Sequence, residues 1–436
     1  MKDRKVIGRK IFLDTLAGID IPAALGRKLR RQGSFIRAGD AQINLRDFRS
    51  IVAIAIGKAA FALAEGVSTV LAPEFHARGI FVVPAAPQRK LEGWETFVAG
   101  HPVPNEESFR AGRTILELLH HCGGETLIFF LLSGGGSSLV ELPLDEGASL
   151  ADFVQLHHAL VTCGAPIEEI NAIRKHVSAT KGGRLAAAAP DAMKLTFGVT
   201  DVPEGQESAL ASGPTLPDPT TIGDAERIAK QYRLIEKLPA SLRSKFEKHS
   251  LRETPKEGDA AFRRAHFELL LGRRDLFHHA HVAAEAAGFY PVCDNATDGW
   301  PVVKAAEHLV AQLQALARSR HDTPVALIAD GEVSSPVIGG GKGGRNSAFA
   351  LACVERIALR DITVLSAGTD GIDGNSPAAG AVADGTTLER ARAASMEPRD
   401  FFKRSDAFTF FERLGDAIVT GPTGNNLRDL RILLAD

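Results

Sequence analysis

Four short runs without a charged residue, Ile51–Ile56, Gly79–Val83, Thr126–Leu132 and Leu195–Val199, set the frame for this chain. Each is rich in β-branched or aromatic residues and too short for a buried helix, so each reads as a strand covered on both faces. Between them lie Ala- and Leu-rich stretches with helical spacing, at about Lys58–Val70, Ser108–His121 and Leu150–Cys163. This alternation predicts an α/β fold with a parallel sheet and helices on both faces. A second series follows, with Val325–Ala329 and Ile362–Ala367 as strands and Val302–Ala317, Asn346–Ile357 and Thr387–Ala394 as helices. It predicts a second α/β unit. The loop Gly213–Thr221 (GPTLPDPTT) and the charged segment running on through Asp259 separate the two, which places a boundary near residue 255 and gives domains 1–255 and 256–436.

The chain has 436 residues, enough at roughly 100–200 per domain for two or three domains with full cores. Lys plus Arg is 51 against 53 for Asp plus Glu, a formal charge of -2, so no broad basic surface for nucleic acid is expected. Cys122, Cys163, Cys293 and Cys353 form no CxxC pair, which points away from a disulfide framework and toward a reducing cytoplasm. The amino terminus lacks a secretory pattern and no run of about 18 apolar residues occurs, so no membrane partner is expected. A homodimer is the base-rate expectation for assembly.

Glycine is the informative excess. Average usage of about 7% would give roughly 31, and the chain has 42. They cluster at Gly134–Gly136, between Gly331 and Gly344, and between Gly368 and Gly385. Clustered glycine brings backbone close to something. In parallel sheets ligands bind beyond the carboxyl ends of strands, and five places there carry glycine or charge. Lys58, after Ile56-Gly57, stands at a helix start, where it is either solvated or facing an anion. Ser133-Gly134-Gly135-Gly136-Ser137-Ser138 directly follows a strand, and its N–H and hydroxyl groups suit an anion as well as a tight turn, although no Walker A pattern is present. The basic stretch Asn171–Arg184, including Arg174, Lys175, His176 and Lys181, would ordinarily be a solvated helix face. It leads into a strand ending at Thr200-Asp201, where an aspartate can hold magnesium, orient a hydroxyl or form a turn.

The fourth place is Asp330-Gly331-Glu332 followed by Gly339-Gly-Gly-Lys342-Gly-Gly-Arg345-Asn346. It contains a GxGxxG pattern, weakened because Pro336 interrupts the segment before it. The fifth is Ser366–Gly374, where Asp370 and Asp373 could hold a divalent cation or order the loop through Asx turns. Cations, glycine cradles and carboxylates without a Ser-His-Asp spacing suit phosphoryl transfer, in which positioning and charge neutralisation dominate.

At these same places the chain resembles the glycerate 2-kinase family, whose carboxyl-terminal portion is called the MOFRL domain. The likeness is carried by IGKAA (56–60), GHPVPNEES (100–108), LLSGGGSSLVELP (131–143), INAIRKHVSATKGGRLA (170–186), the TDVP segment from 200, GKGGRN (341–346), the SAGTDGIDG segment from 366 and SDAFTFFERLGDAIVTGPTGNNLRDLRILL (405–434). The resemblance implies a Rossmann-like three-layer first domain, a smaller α/β second domain and an active site in the cleft between them. It also implies transfer of a phosphoryl group from ATP, with Mg2+, to the 2-hydroxyl of D-glycerate. By position, the family's catalytic lysine, aspartate, glutamate and arginine fall on Lys58, Asp201, Glu332 and Arg345. Lys58 and Arg345 are then expected to neutralise the transferring phosphoryl and the acceptor carboxylate, and Asp201 or Glu332 to hold the metal or orient the hydroxyl. Ser133–Ser138, Lys181 and Asp370 are expected to complete the ligand sites.

The chain departs from the family at Ser347 and Ala348, where Gln and Glu are usual, and at Asn375-Ser376-Pro377, where an aspartate is missing. A related hydroxy acid therefore stays open as acceptor. Two other readings also stay open, an NAD(P)H-dependent hydroxypyruvate reductase and a hydroxy-acid-binding protein without turnover.

Overall fold

Thr126–Leu132 (TLIFFLL) is buried at every position and is one of two central strands in a six-stranded sheet. Its lack of charge is what allows both faces to be covered. The computed structural model describes residues 4–200, 202, 205–320, 323–424 and 427–436. The sheet consists of β1 (Ser50–Ile56), β2 (Arg78–Val83), β3 (Trp94–Val98), β4 (Thr126–Leu132), β5 (Met193–Val199) and β6 (Ala265–Leu271). Its order is β3-β2-β1-β4-β5-β6, and every neighbouring pair is parallel. The chain winds outward from β1 to β3, returns to β4 beside β1, and winds outward the other way. That is the doubly wound Rossmann order, whose direction reverses between β1 and β4.

Helix Ala60–Leu71 packs on one face, its Phe61 ring edge-on to Phe81 of β2 at 5.7 Å. Helix Glu106–His120 covers the other, where Ala111, Ile115 and Leu119 join Ile54, Ile128 and Phe130 in one core. A further helical layer, Leu150–Val161, Ile167–Val177, Ile222–Gln231 and Ala240–Glu247, has its own core around Phe153, Leu160, Ile173, Ile228 and Phe246. The strands β3 (WETFV) and β6 (AHFELLL) lie at the two edges, partly exposed, which is why they keep polar residues and give no charge-free run.

The second sheet is mixed. It comprises β7 (Tyr290–Asp294), β8 (Val325–Asp330), β9 (Ile362–Gly368), β10 (Gly380–Asp384), β11 (Ala417–Ile418) and β12 (Asp429–Ala435), in the order β7-β8-β12-β9-β10-β11. Only β7 and β8 run parallel; the other neighbours are antiparallel. The last strand, β12, inserts between β8 and β9, so those two point the same way without touching. Helices Val302–Ser319 and Arg345–Ile357 pack on one face through Leu309, Leu313, Phe349 and Val354.

Two units result: Ile21–Leu271, and Gly272–Asp436 joined by the residues before Ile21. The division falls after β6 because that strand completes the first sheet; the loop near residue 255 lies inside the first unit. Helix Arg4–Gly18 belongs with the second unit. Its Ile11 and Phe12 are fully buried, Gly8 lies against Leu365 and Leu434, and the Lys5 ammonium is 2.9 Å from Asp416. Phe12→Ala is expected to lower the stability of that unit by about 3–5 kcal/mol, read as a shift of the urea midpoint. An unchanged midpoint would mean the first helix is not part of the core.

Candidate active site

β1 and β4 end side by side, with Ile56 opposite Leu132. Gly57 follows at φ 123°, and a Cβ there would sit 2.5 Å from the carbonyl oxygen of Ser133, so only glycine lets the two chains pass. Ser133 locks the crossing: its N–H donates to the Ile56 carbonyl (2.9 Å) and its Oγ accepts from the Ala59 N–H (3.0 Å). The Lys58 N–H donates to the Gly134 carbonyl (3.0 Å), so the lysine and the glycine run are parts of one turn. Gly135 packs against Lys58 and His101; a Cβ on it would meet Lys58 Cγ at 3.6 Å and the His101 ring at 3.4 Å. His101 Nδ1 lies 3.1 Å from Ser138 Oγ. Lys58, the cradle and His101 thus share one place at the reversal of strand order, where α/β folds bind ligands. Asp201, beyond the end of β5, lies outside the described residues.

The cradle is backed by a buried polar wall. Ser137 Oγ is 2.8 Å from Ser212 Oγ, which donates to Asn171 Oδ1 (3.0 Å). Ala211 and Ser212 hold φ values of 50° and 61°, a costly conformation for residues other than glycine, and one that concentrates at functional sites. The basic stretch around them is no solvated face: Lys175, His176 and Lys181 are all buried. The Lys181 ammonium pairs with Glu141 (2.9 Å) and donates to the Val140 carbonyl (3.0 Å). Burial pulls its pKa down while Glu141 opposes that fall. The structure therefore corrects the expectation of a ligand-contacting Lys181: its charge is already engaged in holding residues 140 and 141 in place. Ser133 is likewise fully buried, and its hydroxyl is used inside the turn.

The second unit gathers charge where β8 and β9 end and β12 begins. Arg345, the first residue of its helix, donates from Nε to Asp429 Oδ2 (2.5 Å) and from its two terminal nitrogens to both Glu332 oxygens (2.8 and 2.5 Å). Burial alone would lower the guanidinium pKa, but Asp429 and Glu332 outweigh it and raise it. Arg428, at φ 96°, pairs with Asp298, whose Oδ1 accepts from the Glu332 N–H (2.9 Å). Asp330 is fully buried, 3.6 Å from Arg428, with neither carboxylate oxygen hydrogen-bonded among the described residues; burial pushes its pKa up to about 6 against the pull of Arg428. Arg431, also fully buried, donates to the Gly331 carbonyl (2.8 Å) and lies over the Phe349 ring at 5.0 Å.

Asp373 caps the Arg345 helix. Its oxygens accept from the N–H groups of Gly344, Asn346 and Ser347 (3.1, 2.9 and 2.8 Å) and from the Ser347 hydroxyl (2.6 Å). Asp370 Oδ1 accepts from the Ile372 N–H (3.0 Å), an Asx turn that orders the loop. Among the described residues, no three His, Cys, Asp or Glu side chains converge to cage a metal ion. The loop before Arg345 exposes Val337 and Ile338 and, with Val302, Ala348 and Phe402, lines an apolar cavity of about 190 Å³.

The sequence reading missed His101, His157, Asp298, Arg428 and Asp429. The last two had a signal, since Arg428, Asp429 and Arg431 are charges at the start of an otherwise apolar run that is buried throughout.

Fold and site together define a two-unit α/β protein, a doubly wound first unit with a glycine cradle at its switch point and a mixed-sheet second unit with a buried charge cluster. Residues 8–247 match a domain of unknown function, DUF4147, and residues 325–429 match the MOFRL family. A D-glycerate 2-kinase of Thermotoga maritima is 32% identical across 88% of this chain and 90% of its own. A protein of Agrobacterium vitis named "Putative hydroxypyruvate reductase" is 36% identical across 88% of this chain and 86% of its own. The crystal structure of a Thermotoga maritima glycerate kinase matches with a TM-score of 0.81 at 30% identity, over 99% of both chains. The chain belongs to the glycerate kinase family.

Beside the cradle, burial and the positive charges of Arg174, His158, His101 and Lys181 push the His157 imidazole down to about 4. The unfolded chain takes up this proton below about 6.5, the native chain only near 4. The stability linked to His157 is therefore complete above 6.5 and lost as pH falls toward 4. Ring NMR titration is expected to show a midpoint near 4, and one near 6.5 would contradict the environment described.

Proposed function

We propose that this protein transfers the γ-phosphoryl group of ATP to the 2-hydroxyl of D-glycerate, giving 2-phosphoglycerate and ADP. The observation that carries the reading is Lys58 folded into the same turn as Gly134–Gly136 at the switch point of a doubly wound sheet, in a chain akin to a D-glycerate 2-kinase. Polyphosphate and hydroxy acid are both anions, so their approach needs fixed positive charge and N–H donors in place before reaction. In the transfer, the acceptor oxygen bonds to the γ-phosphorus, the bond to the β,γ-bridging oxygen breaks, and the hydroxyl proton passes to a carboxylate. Asp201 and Glu332 are the proposed carboxylates. Lys58 supplies charge at the cradle, and Arg345 supplies it in the second unit, held by Glu332 and Asp429. Gly134–Gly136, Ser137 and Ser138 offer N–H and hydroxyl groups to the ligand, with Lys181 and Ser133 shaping the turn and Asp370 ordering its own loop.

Mg2+ is proposed to arrive on the nucleotide, where it neutralises the phosphates. Such an ion keeps phosphate and water ligands and needs only one or two protein carboxylates, for which Asp201 and Glu332 are the proposed candidates. Four free cysteines support a reducing compartment, and we assign the protein to the cytoplasm.

The reductase reading fits less well. Its GxGxxG, Gly339 to Gly344, follows an irregular segment, and the glycines are needed to pass the chain itself. A Cβ on Gly339 would sit 2.4 Å from the Arg404 carbonyl oxygen, one on Gly341 2.5 Å from Asp406, and one on Gly344 2.3 Å from Asp373. Their N–H groups donate within the chain, to Ser405, Arg404 and Asp373. The βα turn at the start of the doubly wound sheet reads Ile56-Gly57-Lys58, without a dinucleotide fingerprint.

ADP release that requires D-glycerate, with no NADPH oxidation by hydroxypyruvate, is the expected result; the converse would favour the reductase. Lys58→Met is expected to lower kcat by about 100-fold or more while leaving the fold intact, and unchanged turnover would remove Lys58 from the mechanism. Arg345→Lys keeps the charge but loses the fork to Glu332 and Asp429, and about a tenfold or larger fall in kcat/KM is expected.

A further inference from the structure

Arg174 is a guanidinium set between a neutral imidazole, His157, and the Lys181 ammonium. It lies near the end of helix Ile167–Val177, half-buried, with His157 Nδ1 3.4 Å from one terminal nitrogen. Among the described residues no carboxylate lies within 4 Å of it. The nearest acidic influence is Glu141, already paired with Lys181 and bonded to Ser178. Burial lowers the Arg174 pKa, with Glu141 only partly offsetting the loss of water. Desolvating a charge without a partner costs several kcal/mol, and neighbouring cations raise that cost. Lys181, by contrast, has Glu141 at 2.9 Å, and Lys175 has Asp218 at 3.0 Å. Among the described residues Lys175 and Lys181 each have a carboxylate beside them and Arg174 does not.

The polar wall that shares its helix carries hydroxyl and amide groups. Asn171 stands one turn earlier on the same helix, at the i, i+3 spacing that places two side chains on one face, and it continues through Ser212 to Ser137 of the cradle. A planar fork next to a row of hydroxyl and amide groups is the complement of a small acid with a hydroxyl beside its carboxylate. A triphosphate would call for charge along an extended track; here one guanidinium is followed by neutral groups.

We infer that Arg174 binds the carboxylate of the acceptor, and that Ser137, held from behind by Ser212 and Asn171, faces its hydroxyl groups. The inference deepens the kinase reading and rests on it for the identity of the acid. It makes this unit selective for short 2-hydroxy carboxylates over the corresponding polyols, because a polyol leaves the guanidinium without its anion.

The test is calorimetric binding of D-glycerate, glycerol and Mg-ATP to the full chain, as wild type, Arg174→Lys and Arg174→Met, with steady-state kinetics on the same samples. D-glycerate is expected to bind the wild type and glycerol not to bind. The Arg174→Met chain should lose about 30-fold or more in D-glycerate affinity, with a parallel rise in its KM, while Mg-ATP affinity changes little. Arg174→Lys, which keeps charge and bulk, guards against misfolding and should fall between the two. Unchanged D-glycerate binding in both variants would overturn the inference, as would an equal loss for Mg-ATP. Arg174-dependent D-glycerate binding without phosphorylation would keep the anchor and sink the kinase reading; phosphorylation with an Arg174-independent KM would do the reverse.

Discussion

The contact between Gly57 and Ser133 fixes the turn on which the proposed site of the first unit is built. Two parallel strands end together, their chains leave to opposite sides of the sheet, and a cleft opens wherever that happens. Closing it with side chains would give an inert core. Here the turn is drawn so tight that a methyl group on Gly57 would overlap the Ser133 backbone, and Lys58 is carried into the glycine run on the other side. Position, charge and donor groups follow from that crossing. The polar wall behind it, from Lys181 through Ser212, is the support that keeps the cradle in one conformation.

The second unit meets a different problem with the same means. Its last strand, β12, runs against its neighbours and so delivers its first residue, Asp429, and Arg428 just before it, to the level where β8 and β9 end. Three arginines and four acids gather there, and the two fully buried ones, Asp330 and Arg431, are expensive to keep out of water. The Asp429 and Glu332 carboxylates orient Arg345, and Asp298 ties Arg428 to the Glu332 backbone. Asp330 faces Arg428 at 3.6 Å, with no hydrogen bond to either oxygen among the described residues. A pre-oriented guanidinium suits phosphoryl transfer, whose barrier is lowered chiefly by charge already in place.

The central strands were legible because burial on both faces forbids charge: β1, β4 and β5 are apolar runs in the sequence and strands in the structure. Edge strands β3 and β6 were not, since half-exposed positions tolerate Glu95 and Glu268. The second series of strands was read as another α/β unit, which it is, but the mixed direction of its sheet depends on β12 returning from the far end of the chain. No local pattern reports such a pairing. Helix Arg4–Gly18 was hidden for the same reason, its partners Leu365 and Leu434 lying hundreds of positions away. Lys58, Glu332, Arg345 and the glycine cradle could be picked out from their place after strands. The basic stretch from Asn171 misled, because a run of Arg, Lys and His reads as solvated until Glu141 and Asp218 are seen beside it. Asp373 read as either a cation ligand or a loop-ordering residue and is a helix cap, a role fixed by the N–H groups of residues distant in sequence.

The central claim is that the cradle and its charges move a phosphoryl group onto the second carbon's oxygen of a three-carbon acid. Phosphorus NMR of the purified chain with Mg-ATP and D-glycerate tests it most directly, with enolase added at the end as a reporter of position. A new phosphomonoester signal that enolase consumes is the result predicted. Folded protein that leaves ATP intact, or a phosphomonoester that enolase does not touch, would contradict it.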